Sequence, residues 1–304
     1  VDYLAGFFYS QAYLSAVEEL LEIEIPKNAQ YIRVLTMELN RVSSHLLWLG
    51  CFLMDLGNQG AVFYAFNLRN EILNIFEKIT GARMMHNYYI FGGVRDKISN
   101  NILNDILDFT QNFNQKFKVL ENMITENPIF LDRTKGLGIL TSEIALPYAI
   151  TGVNLRASGL SLDFRKEKPY LIYDELDFTV PTAFEGDCYS RYKLRIDEIK
   201  ISLDLVNQCT DWLLSHQEGK VALELNQINI KPKAGKAVSY TESARGLVMC
   251  HLIPDGSEKP KRVKWRTPSF YAVQVLEKLA IGNTIADLMA IYGSLDIVLP
   301  EADR

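Results

Sequence analysis

Apolar residues recur at steps of three and four through most of the first two-thirds of the chain. After Pro26, Ile32, Leu35, Leu39, Val42, Leu46, Leu49 and Leu53 lay one continuous apolar stripe along a helix of several turns. Gly57 is a natural stop for it. Upstream, Tyr13, Ala16, Val17, Leu20 and Leu21 predict a shorter helix ending before Pro26. Downstream, Glu71 with Ile72, Ile75, Phe76 and Ile79 marks another, ended by Thr80-Gly81. A fourth is predicted over 102–126, with Ile106, Phe113, Phe117 and Leu120 inside, and a fifth from about Tyr192 to Leu214, using Ile196, Ile199, Leu203 and Val206. Long helices joined by short loops predict a bundle.

The pattern changes after His216. Val221, Leu223 and Leu225 alternate with Ala222 and Glu224, the period of a strand. Gly246–Ile253 and Arg262–Trp265 read as strands too, with Asp255-Gly256 as a turn between them. Helical spacing returns over Phe270–Leu279 and Ile285–Tyr292, and the tail from Ser294 to Arg304 has no helical period. The fold class is therefore mainly α: a central helix bundle over 1–216, and a smaller C-terminal α+β part over 217–304 that completes the same fold.

Composition narrows the function. With 304 residues, 48% hydrophobic, the chain can bury a sizeable core. Its net charge of −5 argues against a nucleic-acid protein, which carries a basic face. Cys51, Cys188, Cys209 and Cys250 are far apart and form no CxxC, so they read as semi-buried thiols of a reducing compartment rather than as a zinc or iron–sulfur site. The most apolar stretch, Leu46–Leu56, contains Asp55 and is shorter than the ~20 residues of a membrane span. No signal peptide opens the chain. It begins at Val1 inside what reads as continuing structure, so a preceding segment is expected.

No GxGxxG, GxxxxGK[ST] or GxSxG occurs. His45, His86, His216 and His251 are far apart and read as structural or surface residues. Glu38, Arg41 and His45 share one helix face, which predicts an ion-paired polar face. Asp55 follows Cys51-Phe52-Leu53-Met54; it needs a partner if buried, and is otherwise a helix-end carboxylate open to water.

A series of blocks carries a resemblance over the whole chain. They are Tyr31-Ile32-Arg33-Val34-Leu35, Glu38-Leu39-Asn40-Arg41, Ser44-His45-Leu46-Leu47, Met54-Asp55-Leu56-Gly57, Thr80-Gly81-Ala82-Arg83-Met84-Met85-His86-Asn87, Gly92-Gly93-Val94 and Asn127-Pro128-Ile129-Phe130. Leu155-Arg156-Ala157-Ser158-Gly159, Glu185-Gly186-Asp187, Thr241-Glu242-Ser243-Ala244-Arg245-Gly246, Ser294-Leu295-Asp296 and Asp303-Arg304 follow in order. Together they resemble the quinone-site (49 kDa-type) large subunit of complex I, nearest the cyanobacterial and plastid pattern, a family related to the large subunits of nickel–iron hydrogenases.

The resemblance implies a hydrogenase large-subunit-like fold without the metal. The C-terminal CxxC of the hydrogenases would fall at Val298 and Glu301, and no Cys precedes Cys51, so no soft-ligand nickel site is implied. It implies that this chain binds no redox cofactor of its own, that Val298 lines a quinone-headgroup chamber, and that Tyr3 and Asp55 are the catalytic pair. Tyr3 would hydrogen-bond a quinone carbonyl, and Asp55 would pair with a histidine on an N-terminal hairpin. Arg83, Met85 and His86 would lie near a 4Fe–4S cluster held by an adjacent subunit. The implied partners are the iron–sulfur small subunit, a 30 kDa-type peripheral subunit, a membrane subunit at the quinone entry, and the quinone itself, ubiquinone or plastoquinone. The implied activity is an NAD(P)H- or ferredoxin-quinone oxidoreductase coupled to proton translocation. Its implied place is the peripheral arm, on the cytoplasmic side of a bacterial plasma or thylakoid membrane or the equivalent organelle side.

The sequence departs from the family pattern in several places. The N-terminal β-rich segment with its hairpin, and the arginine before Asp2-Tyr3, are not in this sequence. Ile90-Phe91 precedes Gly92 where most relatives have Arg, Gly60-Ala61 replaces Thr-Pro, Met85 stands where most respiratory members have His, and the stretch around Gln217–Gly219 is shortened. A structural or assembly subunit that kept the fold and lost quinone chemistry is the alternative. The plastid-like Met85-His86 leans toward ferredoxin as donor.

Overall fold

Proline and glycine punctuate the helices as the sequence predicts. In the computed structural model, which describes residues 1–224 and 231–303, α1 (Gly6–Leu20) stops short of Pro26, and α2 (Lys27–Asp55) starts directly after it. α3 (Gln59–Thr80) opens on Asn58, whose side chain accepts the Ala61 N–H, so Gly60-Ala61 leaves the cap intact. It ends on Gly81 in the left-handed region (φ 76°). A two-residue antiparallel pair, β1 (Tyr89–Ile90) and β2 (Gly93–Val94), follows, and then α4 (Asn100–Ile124).

Four helices of four or five residues, α5 (Pro128–Asp132), α6 (Ser142–Ala145), α7 (Val153–Arg156) and α8 (Phe164–Glu167), lead to α9 (Cys188–Ser215). α9 begins four residues before the Tyr192 expected from periodicity, because the Asp187 side chain caps it through the Ser190 N–H at 2.7 Å. β3 (Ala237–Ser243), β4 (Gly246–Ile253) and β5 (Arg262–Arg266) form one antiparallel sheet in that order. α10 (Pro268–Ala280), α11 (Ile285–Leu295) and α12 (Leu299–Ala302) close the chain. The result is a mainly α fold.

Four expectations are corrected. The strand over Val221–Leu225 is a single bridge between Ala222 and Gly93, because β2 offers it only two residues of partner; Leu225 lies outside the described residues. β3 was not expected: its inward positions are Ala237, Ser239 and Thr241, small residues that give no apolar alternation, and Ser239 satisfies its hydroxyl by donating to the Ala12 carbonyl at 2.5 Å. The tail contains a helical turn, α12, started by Pro300 near its N-terminus. Cys188, Cys209 and Cys250 are fully buried rather than semi-buried, and only Cys51 is half-buried.

α2 is the axis of the molecule, packed between α9 and α3. Its apolar stripe belongs to the main core, with Ile72 and Phe76 of α3, Phe113 and Phe117 of α4, and Ile196, Ile199 and Leu203 of α9. Its polar face is buried as well. Glu38 accepts from Arg41 Nε (3.0 Å), Arg165 Nη1 (3.3 Å), Tyr173 Oη (2.6 Å) and Ser202 Oγ (2.6 Å). His45 Nε2 meets Glu198 Oε2 at 2.8 Å, and Arg156 binds both Glu198 and Glu242. Burial would raise the Glu38 carboxyl, but Arg41 and Arg165 outweigh it and hold it at about 2. Burial lowers His45 to about 4 against the pull of Glu198, so it is neutral near pH 7. The expected ion-paired face is present, as a buried network that binds α2 to α9.

A second core joins α10 and α11 to Leu140, Ile150 and Leu155, and a third packs α1 on the sheet through Ala12, Val17, Val248 and Cys250.

Candidate active site: a cleft at the end of the central helix

Three segments far apart in sequence meet where α2 ends. They are residues 1–5, the last turns of α2, and residues 292–300. They enclose an open cleft of about 330 Å³ lined by Tyr3, Trp48, Cys51, Phe52, Asp55, Tyr292, Asp296 and Val298. Trp48 Nε1 donates to the Gly293 carbonyl at 2.6 Å, which ties α11 to α2. A Cβ at Gly293 would sit 2.9 Å from the Phe52 ring, so the close approach of the two helices needs glycine there. Trp48 and Phe52 stack at 5.1 Å, and the Arg195 guanidinium covers Trp48 at 4.3 Å.

Tyr3 stands at the mouth, 43% exposed, on a loop held from beneath. Buried Asp2 accepts the Leu4 and Ala5 N–H groups at 2.9 and 3.2 Å and Arg245 Nη1 at 2.5 Å, and Asn40 Nδ2 donates to the Leu4 carbonyl at 2.9 Å. Asp55 is the last residue of α2 and is exposed; the partial burial it does have raises its carboxyl above the ordinary range. Asp296 ends α11 in the left-handed region (φ 56°), buried, with Arg245 Nη2 at 3.5 Å and Arg195 Nε at 4.0 Å. Burial raises it, and the two guanidinium groups oppose that rise. Val298 is buried in the wall and donates its N–H to Ser269 Oγ at 3.1 Å.

Tyr3 also borders a narrow recess of about 10 Å³ on its other side, with Arg69, Arg83, Met84, Met85 and His86. Arg83 reaches back along α3 to Asn70 and Asn74, both at 2.5 Å. Met85 has positive φ (57°) and is 68% exposed. His86 stacks on Phe7 at 4.4 Å and meets Thr80 Oγ1 through Nδ1 at 3.1 Å; burial lowers it to about 4.

The fold thus brings Tyr3, Asp55 and Val298 to one cleft, and Tyr3, Arg83, Met85 and His86 to one recess. Tyr3 lines both, together with its neighbour Leu4. Sequence reasoning gave no role to Asp296, Trp48 or Asp2. Asp296 falls in the block Ser294-Leu295-Asp296, but nothing local signals that its carboxylate is buried at a cleft. Two clefts of similar size lie elsewhere, about 350 Å³ around Asn28, Lys97 and Gln217 and about 380 Å³ around Leu53, Asn58 and Phe130. One has a single lysine and the other no ionisable side chain, so the chemistry points to the cleft of Tyr3. Among the described residues no three His, Cys, Asp or Glu side chains come together to hold a metal ion. No helix among them is long and apolar enough to cross a membrane.

The chain is a mainly α protein whose cleft offers a phenol and carboxylates at an aromatic wall, and comparison with known proteins gives its family. Residues 55–304 match the family described as respiratory-chain NADH dehydrogenase, 49 Kd subunit. Over 304 residues the chain is 39% identical to an NADH-quinone oxidoreductase subunit of Syntrophobacter fumaroxidans and 40% identical to its counterpart in Desulfotalea psychrophila, spanning 81% of each relative. It is 39% identical over 303 residues to the counterpart in Geobacillus thermodenitrificans, spanning 82% of it. The chain belongs to the family of 49 kDa subunits of respiratory-chain NADH dehydrogenase.

Proposed function

We propose that the cleft is the headgroup chamber in which a complex I-type oxidoreductase reduces quinone. The observation that carries this reading is the convergence of Tyr3, Asp55 and Val298, from three distant segments, on one cleft. The name shared by the relatives, an NADH-quinone oxidoreductase subunit, supports the substrate class.

Reducing a quinone to a quinol takes two electrons and two protons. Trp48, Phe52 and Val298 supply an apolar wall for the ring, while Tyr3 at the mouth donates a hydrogen bond, and then a proton, to the oxygen on which negative charge develops. Asp55, whose carboxyl is raised, shares the cleft as the second proton-handling group. Tyr3 and Asp55 would be reprotonated from the open side of the cleft. Electrons would come from a 4Fe–4S cluster in an iron–sulfur small subunit that packs at the recess. Arg83, Met85 and His86 present a cationic and neutral edge with no thiolate, which suits a neighbour of such a cluster rather than its ligands. A membrane subunit would deliver the quinone at the mouth and a 30 kDa-type subunit would flank the arm. The charge change on reduction would couple to proton translocation elsewhere in the complex. In this reading the chain sits in the peripheral arm, on the cytoplasmic or equivalent side.

Tyr3→Phe in the assembled complex tests this. It removes one hydroxyl at an exposed position, so assembly should survive, while general-acid catalysis of the quinone step should fall by about a hundredfold or more. Unchanged quinone-dependent turnover would leave a scaffold role in its place.

A further inference from the structure

Behind the cleft wall lies a carboxyl group that the quinone chemistry above does not use. Glu301, on α12, is fully buried. Its Oε1 accepts from Tyr9 Oη at 2.5 Å, and its Oε2 accepts from the Ser269 N–H at 3.2 Å and from Ser269 Oγ. Ser269 Oγ in turn accepts the Val298 N–H at 3.1 Å. Tyr9 lies on α1, the helix that continues directly from the Tyr3 loop, and Ser269 lies in the first turn of α10. One carboxyl group therefore joins the three pieces of chain that define the distance between Tyr3 and Val298.

We propose that Glu301 is a positioning residue for the quinone step: by binding Tyr9 and Ser269 at once it holds the Val298–Pro300 wall against α1 and so sets the width of the cleft below Tyr3. This rests on the headgroup reading above. Glu301 touches neither the cleft space nor any substrate there, so its effect on quinone passes through Val298.

The groups that face Glu301 make this latch sensitive to its charge. Asp2 lies near it from the N-terminal loop, Arg245 from the turn between β3 and β4, Arg266 from β5, and Tyr9 from α1. Burial, then Asp2, raises the Glu301 carboxyl to about 7, against Arg245 and the hydrogen bonds from Ser269 and Tyr9. Tyr9 and Ser269 only donate to the carboxyl, so their hydrogen bonds are stronger to the ionised form, and the latch is weakest where the group is protonated. As pH rises from 4.5 to about 7 the fold as a whole loses the stability that burial and Asp2 withhold from the ionised group, while the hydrogen bonds of the latch themselves tighten as the carboxyl ionises through about 7.

The test uses the assembled complex, with a short-chain ubiquinone analogue as acceptor, and electron transfer to an artificial acceptor that bypasses the cleft as the assembly control. Glu301→Leu should raise KM for the quinone about tenfold with a smaller effect on kcat, since it loosens binding rather than chemistry. Glu301→Gln keeps an acceptor for Ser269 and a donor for Tyr9, so it should restore most of the affinity. The native enzyme should bind quinone more tightly on the alkaline side of pH 7 than on the acid side, and Glu301→Gln, which cannot ionise, should lose that step. Tyr9→Phe should give a smaller rise in KM, also without loss of assembly.

If Glu301→Gln keeps the native pH step in KM, or if Glu301→Leu and Tyr9→Phe leave KM unchanged while Tyr3→Phe abolishes turnover, the positioning role is wrong and the headgroup reading stands. If Tyr3→Phe changes nothing, it is the headgroup reading that falls. Should Glu301→Leu not assemble, the pH comparison between native and Glu301→Gln decides alone.

Discussion

Glu38 shows what a single buried charge does in this fold. Two guanidinium groups, Arg41 and Arg165, converge on it, and Tyr173 and Ser202 fill its remaining acceptor sites. Glu38→Gln removes the charge, leaving Arg41 without its carboxylate partner and Arg165 with Asp163 alone, which should cost about 3–5 kcal/mol. The pH dependence follows from the depressed carboxyl. Its contribution is present in full above the ordinary 4.5 and is lost as pH falls toward about 2, so the native protein should lose stability across that window and Glu38→Gln should show a flatter acid limb. Urea midpoints for the two forms at several acid pH values measure this. The shared face of Glu38, Arg41 and His45 was legible from their spacing alone. Its burial was not, because Tyr173, Glu198 and Arg165, the residues that complete it, lie more than a hundred positions away.

At the scale of elements, the long helices were legible because each carries an apolar period that needs no distant partner. The shorter pieces depend on neighbours. Val221 and Leu223 alternate like a strand and do exchange backbone hydrogen bonds, Val94 N–H to the Val221 carbonyl and Leu223 N–H to the Gly92 carbonyl, but the partner ends after two residues. β3 reads as polar because its inward side chains are small and hydrogen-bonded. The turns are where elements constrain the cleft. Gly152 (φ 68°) lies against Gly246 (φ 130°), and a Cβ on Gly152 would meet the Gly246 Cα at 2.5 Å and the Arg245 carbonyl at 2.7 Å. Neither contact can yield without moving backbone, and Arg245 is the residue that binds Asp2 beneath Tyr3. Gly152→Ala should therefore destabilise by more than Gly81→Ala, whose φ is also positive (76°) but whose Cβ would meet open space and carry only the left-handed strain of about 1–2 kcal/mol. Thermal unfolding midpoints of the two variants, with KM for quinone, should separate them: only Gly152→Ala should also loosen quinone binding.

For the whole molecule, the family was legible from many ordered blocks, and the two residues assigned to the chemistry, Tyr3 and Asp55, came from that resemblance rather than from any local pattern. One is among 15 tyrosines and the other ends an ordinary helix. What the sequence could not supply is that both reach one cleft with Val298 from the far end of the chain, since that depends on α11 docking on α2 through Trp48 and Gly293. That convergence is the central claim, and photoaffinity labelling of the assembled complex with an azido-quinone tests it most directly. The label should appear on peptides covering Tyr3, Cys51–Asp55 and Tyr292–Pro300, and excess unmodified quinone should suppress it. Labelling confined to the cleft around Asn28, Lys97 and Gln217, with none at Tyr3 or Val298, would contradict the account.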